Sequence, residues 1–530
     1  MPRPQLLYLT HRVPHPPNRG DRIRTYHMLR HLSQFADVSL ACLADEPVSD
    51  ETHRELNRLC VRVGIVPVEK RLRWVRAGLS LLRGRTISEG AFQSPALTRL
   101  LTEWGEATSF DATLASSSAL APYLRLPALS IAKASVDLID VDSQKWLDYA
   151  AASRGPKRWL YRHEGQRMRR LEASLATWTH RVLVVSEAEA DIFRSFCPNG
   201  PITAVANGVD VDYFQPANSL VPTLRVGTPP RRTAASDAVD NPTPIDVRDA
   251  ERQEARSHAE RGNESNSLVP TLRVGTAPRR SAASDAVDTP TPIDVRDAER
   301  QDARSHAERG NEESCVFVGA LDYKPNIDGA IWFCQHIWPS IRTLKPNAVI
   351  KLVGREPTRE VQALGEIPGV EVIGTVPDVR PYLAEAAVVV VPLQIARGVQ
   401  NKVLEAMAMG KAIVASPEPI VGLQVEPGVH LLRAVNVDEW VSQVTTLFDD
   451  AALRAEMGLA AQAYVTANHR WEQCLTELPR LLCKTGTLAR LDESRLPVSR
   501  VASAPGPESI SAHVRGLTPP GSLTTGEVTL

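Results

Sequence analysis

Residues Ala387–Ser416, AVVVVPLQIARGVQNKVLEAMAMGKAIVAS, decide the fold. Val388 to Val391 are consecutive β-branched residues, which suits a strand of a parallel sheet covered on both faces. From Gln400 to Met409 the pattern turns helical, with Val403, Leu404, Ala406, Met407 and Ala408 around Glu405, and Gly410 stands at a C-cap position. Ala412 to Ala415 returns to strand character, so the stretch reads as one β-loop-α-β unit. Its loop opens at a helix N-terminus, whose unpaired N–H groups and positive dipole end attract phosphate. Lys402 adds a full positive charge in the first turn. Glu405, one turn further on, offers a carboxylate that accepts two hydrogen bonds from a vicinal diol such as a ribose. The same spacing also fits an ordinary surface Lys/Glu pair.

Outward from this unit, strands and helices alternate in two series, which argues for parallel sheets with crossover helices. The first series has strands at Gln5–Thr10, Val38–Leu43, Val61–Val66, Asp111–Ser116, Val136–Val141 and Val182–Val185. After its first strand comes a Pro-rich loop, His11 to Arg19, then Gly20 and a helix from about Asp21 to Leu32. The loop is not G-x-G-x-x-G, so a dinucleotide dehydrogenase is a weak reading. The second series opens at Val316–Val318 with Gly319 and Lys324 behind it, and continues at Val349–Val353, Val370–Ile373, Val388–Val391 and Ile413–Ala415. The fold class is therefore α/β. Asp140 and Asp142 fall at the carboxyl end of the Val136–Val141 strand, where open α/β sheets bind ligands. Asp142 suits a helix N-cap there before it suits a ligand contact.

Gly398 through Gly410 resembles the nucleotide-sugar loop of retaining GT-B glycosyltransferases of the GT4-like (group 1) family. That loop reads Glu-Gly-x-Gly-x-x-x-x-Glu-Ala-x-Ala-x-Gly. Glu405-Ala406-Met407-Ala408-Met409-Gly410 matches its second half, while Arg397 stands where the first glutamate is usual. The wording ARGVQNKVLEAMAMGK, and Pro16-Pro17-Asn18-Arg19-Gly20-Asp21 near the start, resemble the branch of sugar transferases associated with PEP-CTERM/exosortase exopolysaccharide systems. Asn207-Gly208-Val209-Asp210 followed by Phe214 and Pro216 resembles the segment closing the family's N-terminal domain.

The resemblance implies two Rossmann-like domains facing a cleft (GT-B) and sugar transfer from a nucleotide-diphosphate donor to a saccharide or lipid-linked acceptor, with retention. It implies donor binding by Glu405, Lys402, Asn401, Gly398, Gly319, Lys324 and Gly20. Catalysis would rest on stabilising the leaving diphosphate, with Arg397 and Asp142 as catalytic candidates, no metal, and no cofactor beyond the donor itself, which is a substrate. Two rival classes stay open: a GT-B-like sugar-nucleotide epimerase or phosphorylase, and a catalytically silent binding protein.

At 530 residues the chain accommodates several domains. Its net charge of −1 gives no global pointer to nucleic acid. Seven scattered cysteines form no C-x-x-C pair and read as reduced thiols. Residues 1–20 lack a signal-peptide core, and no run of about 18 apolar residues is present, so a cytoplasmic protein is expected. The basic amphipathic segment Arg71–Arg85, with Trp74, Val75 and Leu79, suits either a helix on the sheet or peripheral contact with the inner membrane face.

Residues 218–264 and 266–312 are near-copies that differ only at positions 229, 233, 241 and 254 and their partners. Neither copy contains Phe, Trp, Tyr or Lys, so each buries too little to offset its ordering entropy. The expected organisation is an N-terminal domain at 1–216, a duplicated disordered insertion at 217–313, a C-terminal nucleotide-sugar domain at 314–483 whose last helix crosses back, and a disordered tail at 484–530.

Overall fold

A computed structural model describes residues 3–68, 75–80, 83–130, 132–216 and 313–482. The expected insertion and tail lie outside the described residues, as do parts of the basic Arg71–Arg85 segment. The stretches flanking residues 217–310 form one compact unit.

This unit contains two all-parallel sheets. The first holds β1 (Gln5–Thr10), β2 (Asp37–Ala44), β3 (Arg62–Pro67), β4 (Ala112–Ser116), β5 (Lys133–Ile139), β6 (Arg181–Val184) and β7 (Ile202–Ala204), in the order β3-β2-β1-β4-β5-β6-β7. The second holds β8 (Ser314–Val318), β9 (Val349–Val353), β10 (Val370–Gly374), β11 (Val388–Val391), β12 (Ala412–Ala415) and β13 (Leu432–Arg433), in the order β10-β9-β8-β11-β12-β13. Each sheet reverses its winding once, between β1 and β4 and between β8 and β11. In doubly wound sheets, ligands bind beyond the strand carboxyl ends at such reversals. The loops that matter are therefore those after β1, β8 and β11.

β11 lies between β8 and β12, with Val388 paired to Cys315 on one side and Ala412 on the other. All four of its valines are at most 1% exposed, as a central strand requires. Burying each contributes roughly 1.5–3 kcal/mol. Six helices carry or support the site: α1 (Gly20–Leu32), α2 (Asp142–Ala151), α3 (Gly155–Trp178), α4 (Glu187–Phe196), α5 (Lys324–Trp332) and α6 (Asn401–Ala408).

The segment after the Ala451–Asn468 helix reads in sequence as one helix from Trp471 to Leu482. It is instead two short helices, Trp471–Cys474 and Leu478–Leu482. Trp471, Leu475, Leu478 and Leu482 are buried in one cluster with Leu6, Tyr8 and Met28 of the first sheet's layer. Trp471 stacks on His27 of α1 with ring centroids 4.5 Å apart. The Val209 N–H donates to the His469 carbonyl at 2.7 Å. The C-terminal segment thus packs into the first sheet's core.

Candidate functional site

On the second sheet, the loop after β8 and the start of α6 converge. Lys402, the second residue of α6, donates from Nζ to Asn326 Oδ1 at 2.5 Å and lies 5.0 Å from the Phe317 ring centroid. Asn326 is itself oriented, because its Nδ2 donates to the Ala320 carbonyl at 2.8 Å. Gly319 faces this pair closely. A Cβ there would stand 2.9 Å from Asn326 Nδ2 and 3.1 Å from Lys402 Nζ, so only glycine leaves both side chains undisturbed. Glu405 follows Lys402 at i+3 on the same helix face, and both are half-buried. Burial pushes Lys402 down to about 7, against the pull of Glu405, and pushes Glu405 up to about 7, against the pull of Lys402. The N-cap residue of α6, Gln400, makes no side-chain cap bond. A helix start next to an ammonium group suits a phosphate ligand.

Lys324 is placed differently from its sequence expectation. It is largely exposed, and its Nζ pairs with Asp328 at 2.6 Å on the outside of α5. Helical residues two positions apart differ by about 200° in direction, so when Asn326 points at Lys402, Lys324 points away. Asn326 holds the inward position that the sequence reading gave to Lys324.

Arg397 is also committed elsewhere. Its guanidinium grips Asp148 of α2 through Nε at 2.9 Å and through Nη2, and its Nη1 lies 3.7 Å from Glu189 of α4. It therefore joins the β11 loop to carboxylates of the first sheet's layer and does not meet Lys402. Glu189 is fixed in turn, since its Oε2 accepts the Val141 N–H at 2.7 Å. Asp148, Glu189, Ser186, Gln394, Arg397 and Glu418 border a cavity of about 310 Å³.

Gly398 is a point where the two layers meet closely. Its φ is +60°, and a Cβ would stand 2.2 Å from Asp140 Oδ1 and 2.6 Å from Val185 Cγ2. The backbone delivers Asp140 to it through a strained turn. Ile139 adopts φ +68°, the Asp140 N–H donates to the Leu138 carbonyl at 2.9 Å, and the β5–β6 register slips between Asp137 and Ile139. A β-branched residue at positive φ is costly. Burial pushes Asp140 up to about 7, with Glu189 adding to the effect. Gly398→Ala is expected to cost roughly 1–3 kcal/mol, because the left-handed conformation and the Asp140 contact must both give way. A thermal melt beside the wild type checks this.

Asp142 is the first residue of α2, not its N-cap, which is Val141. Burial raises its carboxyl, opposed by Lys145 and His11. Lys145, one turn along, lies 5.6 Å from the Tyr323 ring of the second sheet's first loop. The loop after β1 is braced by charge. Arg12 reaches Asp21 at 2.6 Å and Asp45 at 3.2 Å, and His11 reaches Asp21 at 3.0 Å. Although burial would raise Asp21, His11 and Arg12 hold it well below the usual carboxylate range. Gly20 starts α1, and a Cβ on it would lie 3.9 Å from Asn401 Nδ2. Asn401 in turn accepts at Oδ1 from Asn207 Nδ2 at 3.2 Å.

The structure therefore groups Lys402, Glu405 and Gly319 with the unforeseen Asn326, and Asn401 with Gly20 and the unforeseen Asn207. It sets Gly398 and Arg397 against Asp140, Asp148 and Glu189. Among the described residues no group of three or more His, Cys, Asp or Glu side chains is arranged to hold a metal ion.

Residues 312–450 match the family described as glycosyl transferases group 1. No curated protein matches the chain. Among solved structures, HepE of Anabaena in complex with UDP is 13% identical, covering 90% of this chain and 98% of its own, at TM-score 0.52. Sucrose-phosphate synthase from Thermosynechococcus elongatus is 14% identical over 90% and 98%, at TM-score 0.55. WaaG, a glycosyltransferase involved in lipopolysaccharide biosynthesis, is 10% identical over 90% and 99%, at TM-score 0.53. These likenesses establish the two-domain GT-B fold, and the matched domain supports a GT-B glycosyltransferase.

Proposed function

We propose that the chain transfers a glycosyl group from a nucleoside-diphosphate sugar to a saccharide or lipid-linked acceptor, with retention, in the assembly of a surface or extracellular polysaccharide. The observation that carries this reading is Lys402. It stands in the first turn of α6, anchored by Asn326 over the Phe317 ring and facing Gly319, at the winding reversal of the second sheet. A leaving nucleoside diphosphate gains negative charge as the bond between the sugar's anomeric carbon and its phosphate oxygen breaks and the electron pair goes to that oxygen. A fixed ammonium and a helix N-terminus stabilise that charge more in the transition state than in the ground state. Glu405 then takes the ribose diol, accepting from both hydroxyls. That HepE is solved with UDP and that WaaG acts in lipopolysaccharide biosynthesis both support the reading.

Peripheral membrane contact belongs to the same proposal. No helix among the described residues is long and apolar enough to cross a membrane. Trp159 on α3 is 64% exposed beside Lys157 and Arg158, and Val75 and Leu79 are exposed on the 75–80 helix.

Titration calorimetry of the full chain against UDP-, GDP- and TDP-sugars tests the donor reading. One donor is expected to bind, and Glu405→Ala to weaken it about tenfold or more, since hydrogen bonds to a charged group are worth roughly 1.5–3 kcal/mol each. Binding of none of them ends the reading. Turnover of the bound donor without an acceptor product would favour an epimerase or hydrolase instead.

A further inference from the structure

A buried chain of hydrogen bonds runs from the first sheet to the start of α6, and its polarity is forced at every step. Arg24 of α1 is fully buried and grips Asp137 of β5 with Nε and Nη2 at 2.8 and 2.9 Å. Its Nη1 reaches the Val205 carbonyl at 2.8 Å and the Asn207 side chain at 2.9 Å. A guanidinium only donates, so the Asn207 atom it meets is the carbonyl oxygen. The other end of the Asn207 amide is therefore a donor, and it lies 3.2 Å from Asn401, whose facing atom must be Oδ1. That leaves Asn401 Nδ2 on the opposite side. It is buried and has no protein acceptor, and its neighbour there is Gly20. The backbone of Asn207 is held as well, its carbonyl accepting from His469 Nδ1 at 3.0 Å. A buried donor without an acceptor costs roughly 1–3 kcal/mol, and an incoming oxyanion relieves that cost.

We infer that Asn207 is a positioning residue. Through the Asp137–Arg24–Asn207 chain it holds the Asn401 amide with its N–H₂ turned toward a phosphate oxygen of a bound nucleoside diphosphate. The inference rests on the donor reading above. It assigns Asn207 a role in binding, although Asn207 lies outside both the α6 loop and the second sheet.

The test is UDP affinity, with GDP and TDP as parallel probes, measured by calorimetry on the full chain. Asn207→Asp keeps the shape and the Arg24 bond but removes the donor, so the Asn401 amide turns over and presents Oδ1 to the phosphate. Asn207→Ala leaves Asn401 free to present either end. The expected order is a loss of about tenfold for N207D, about 1.4 kcal/mol, and only about threefold for N207A. A packing role predicts the reverse, because alanine empties more space. In the double variant N207D/N401A the affinity should equal that of N401A alone, whereas direct repulsion by the new carboxylate would add to it. N401D approaches the same polarity from the helix side and should also lose about tenfold, which keeps the test intact if N207D folds poorly. N207A binding as weakly as N207D, additivity in the double variant, or N401D binding like the wild type would each overturn the inference. Absence of UDP, GDP and TDP binding in the wild type would overturn the donor reading, and this one with it.

Discussion

Arg24→Ala should destabilise the chain by about 3–5 kcal/mol, read as a lower denaturant midpoint with an unchanged slope. Arg24 and Asp137 are both 0% exposed, and the pair is bidentate. Burial alone would lower the Arg24 pKa, but Asp137 raises it, so the guanidinium is firmly charged in the folded chain. Removing it strands the Asp137 carboxylate in the core with no cation to replace it. It also frees the Val205 carbonyl and the Asn207 side chain from their shared donor. The same pair replaced by apolar residues of similar volume, Arg24→Met with Asp137→Leu, should recover most of the loss, because the cost lies in the unpaired charge and not in the absence of an ion pair. Recovery of stability without recovery of nucleotide affinity would separate the two duties of Arg24. One is to close the first sheet's core, and the other is to orient Asn207.

That pair also illustrates what could be read from the residues alone and what could not. The run Val388–Val391, the glycine at Gly398 and the Lys402/Glu405 spacing declare themselves locally, since strand composition, turn geometry and helix periodicity depend on near neighbours. The second sheet and the start of α6 were legible for that reason. Arg397 looked free to meet a diphosphate because its partner Asp148 lies 249 residues away, and nothing local signals such a pairing. Lys324 looked like the cation of its loop, yet the helix starts at Lys324 itself, and that one-residue choice of start turns Asn326 inward and Lys324 out. Asp142 looked like an N-cap, but the helix starts at Asp142 itself and Val141 is the cap. The short strand Ile202–Ala204 and the helix Ile87–Phe92 carry too few periodic residues to stand out before tertiary packing selects them, whereas Pro95–Ala107 is legible, with Leu97, Leu100, Leu101 and Trp104 at helical spacing behind Ser94 and Pro95. Glu189 had one weak signal, its place three residues after Ser186, whose side chain caps α4 by accepting the Glu189 N–H at 3.3 Å.

Lys402→Ala should lower kcat/KM for transfer by about 10²–10³, the usual cost of removing one preorganised group that meets developing negative charge. A sharper signature is the proton it carries. In the ligand-free chain Lys402 is pushed down to about 7 by burial, so above pH 8 most molecules hold it neutral. A diphosphate favours the ammonium, so binding at pH 8–9 must draw a proton from buffer, up to about one per site, and affinity must fall as pH rises through that window. Glu405 works in the opposite sense. Pushed up to about 7, it must lose its proton to accept from a ribose diol, and that release falls near pH 6–7. Measuring at pH 8–9, where Glu405 is already ionised, isolates Lys402. Calorimetry in two buffers of different ionisation enthalpy gives the proton count directly. Lys402→Arg stays charged throughout and should bind with no proton uptake and a flat pH dependence over the same range. Proton uptake that persists in the arginine variant would place the titrating group elsewhere and remove Lys402 from the diphosphate.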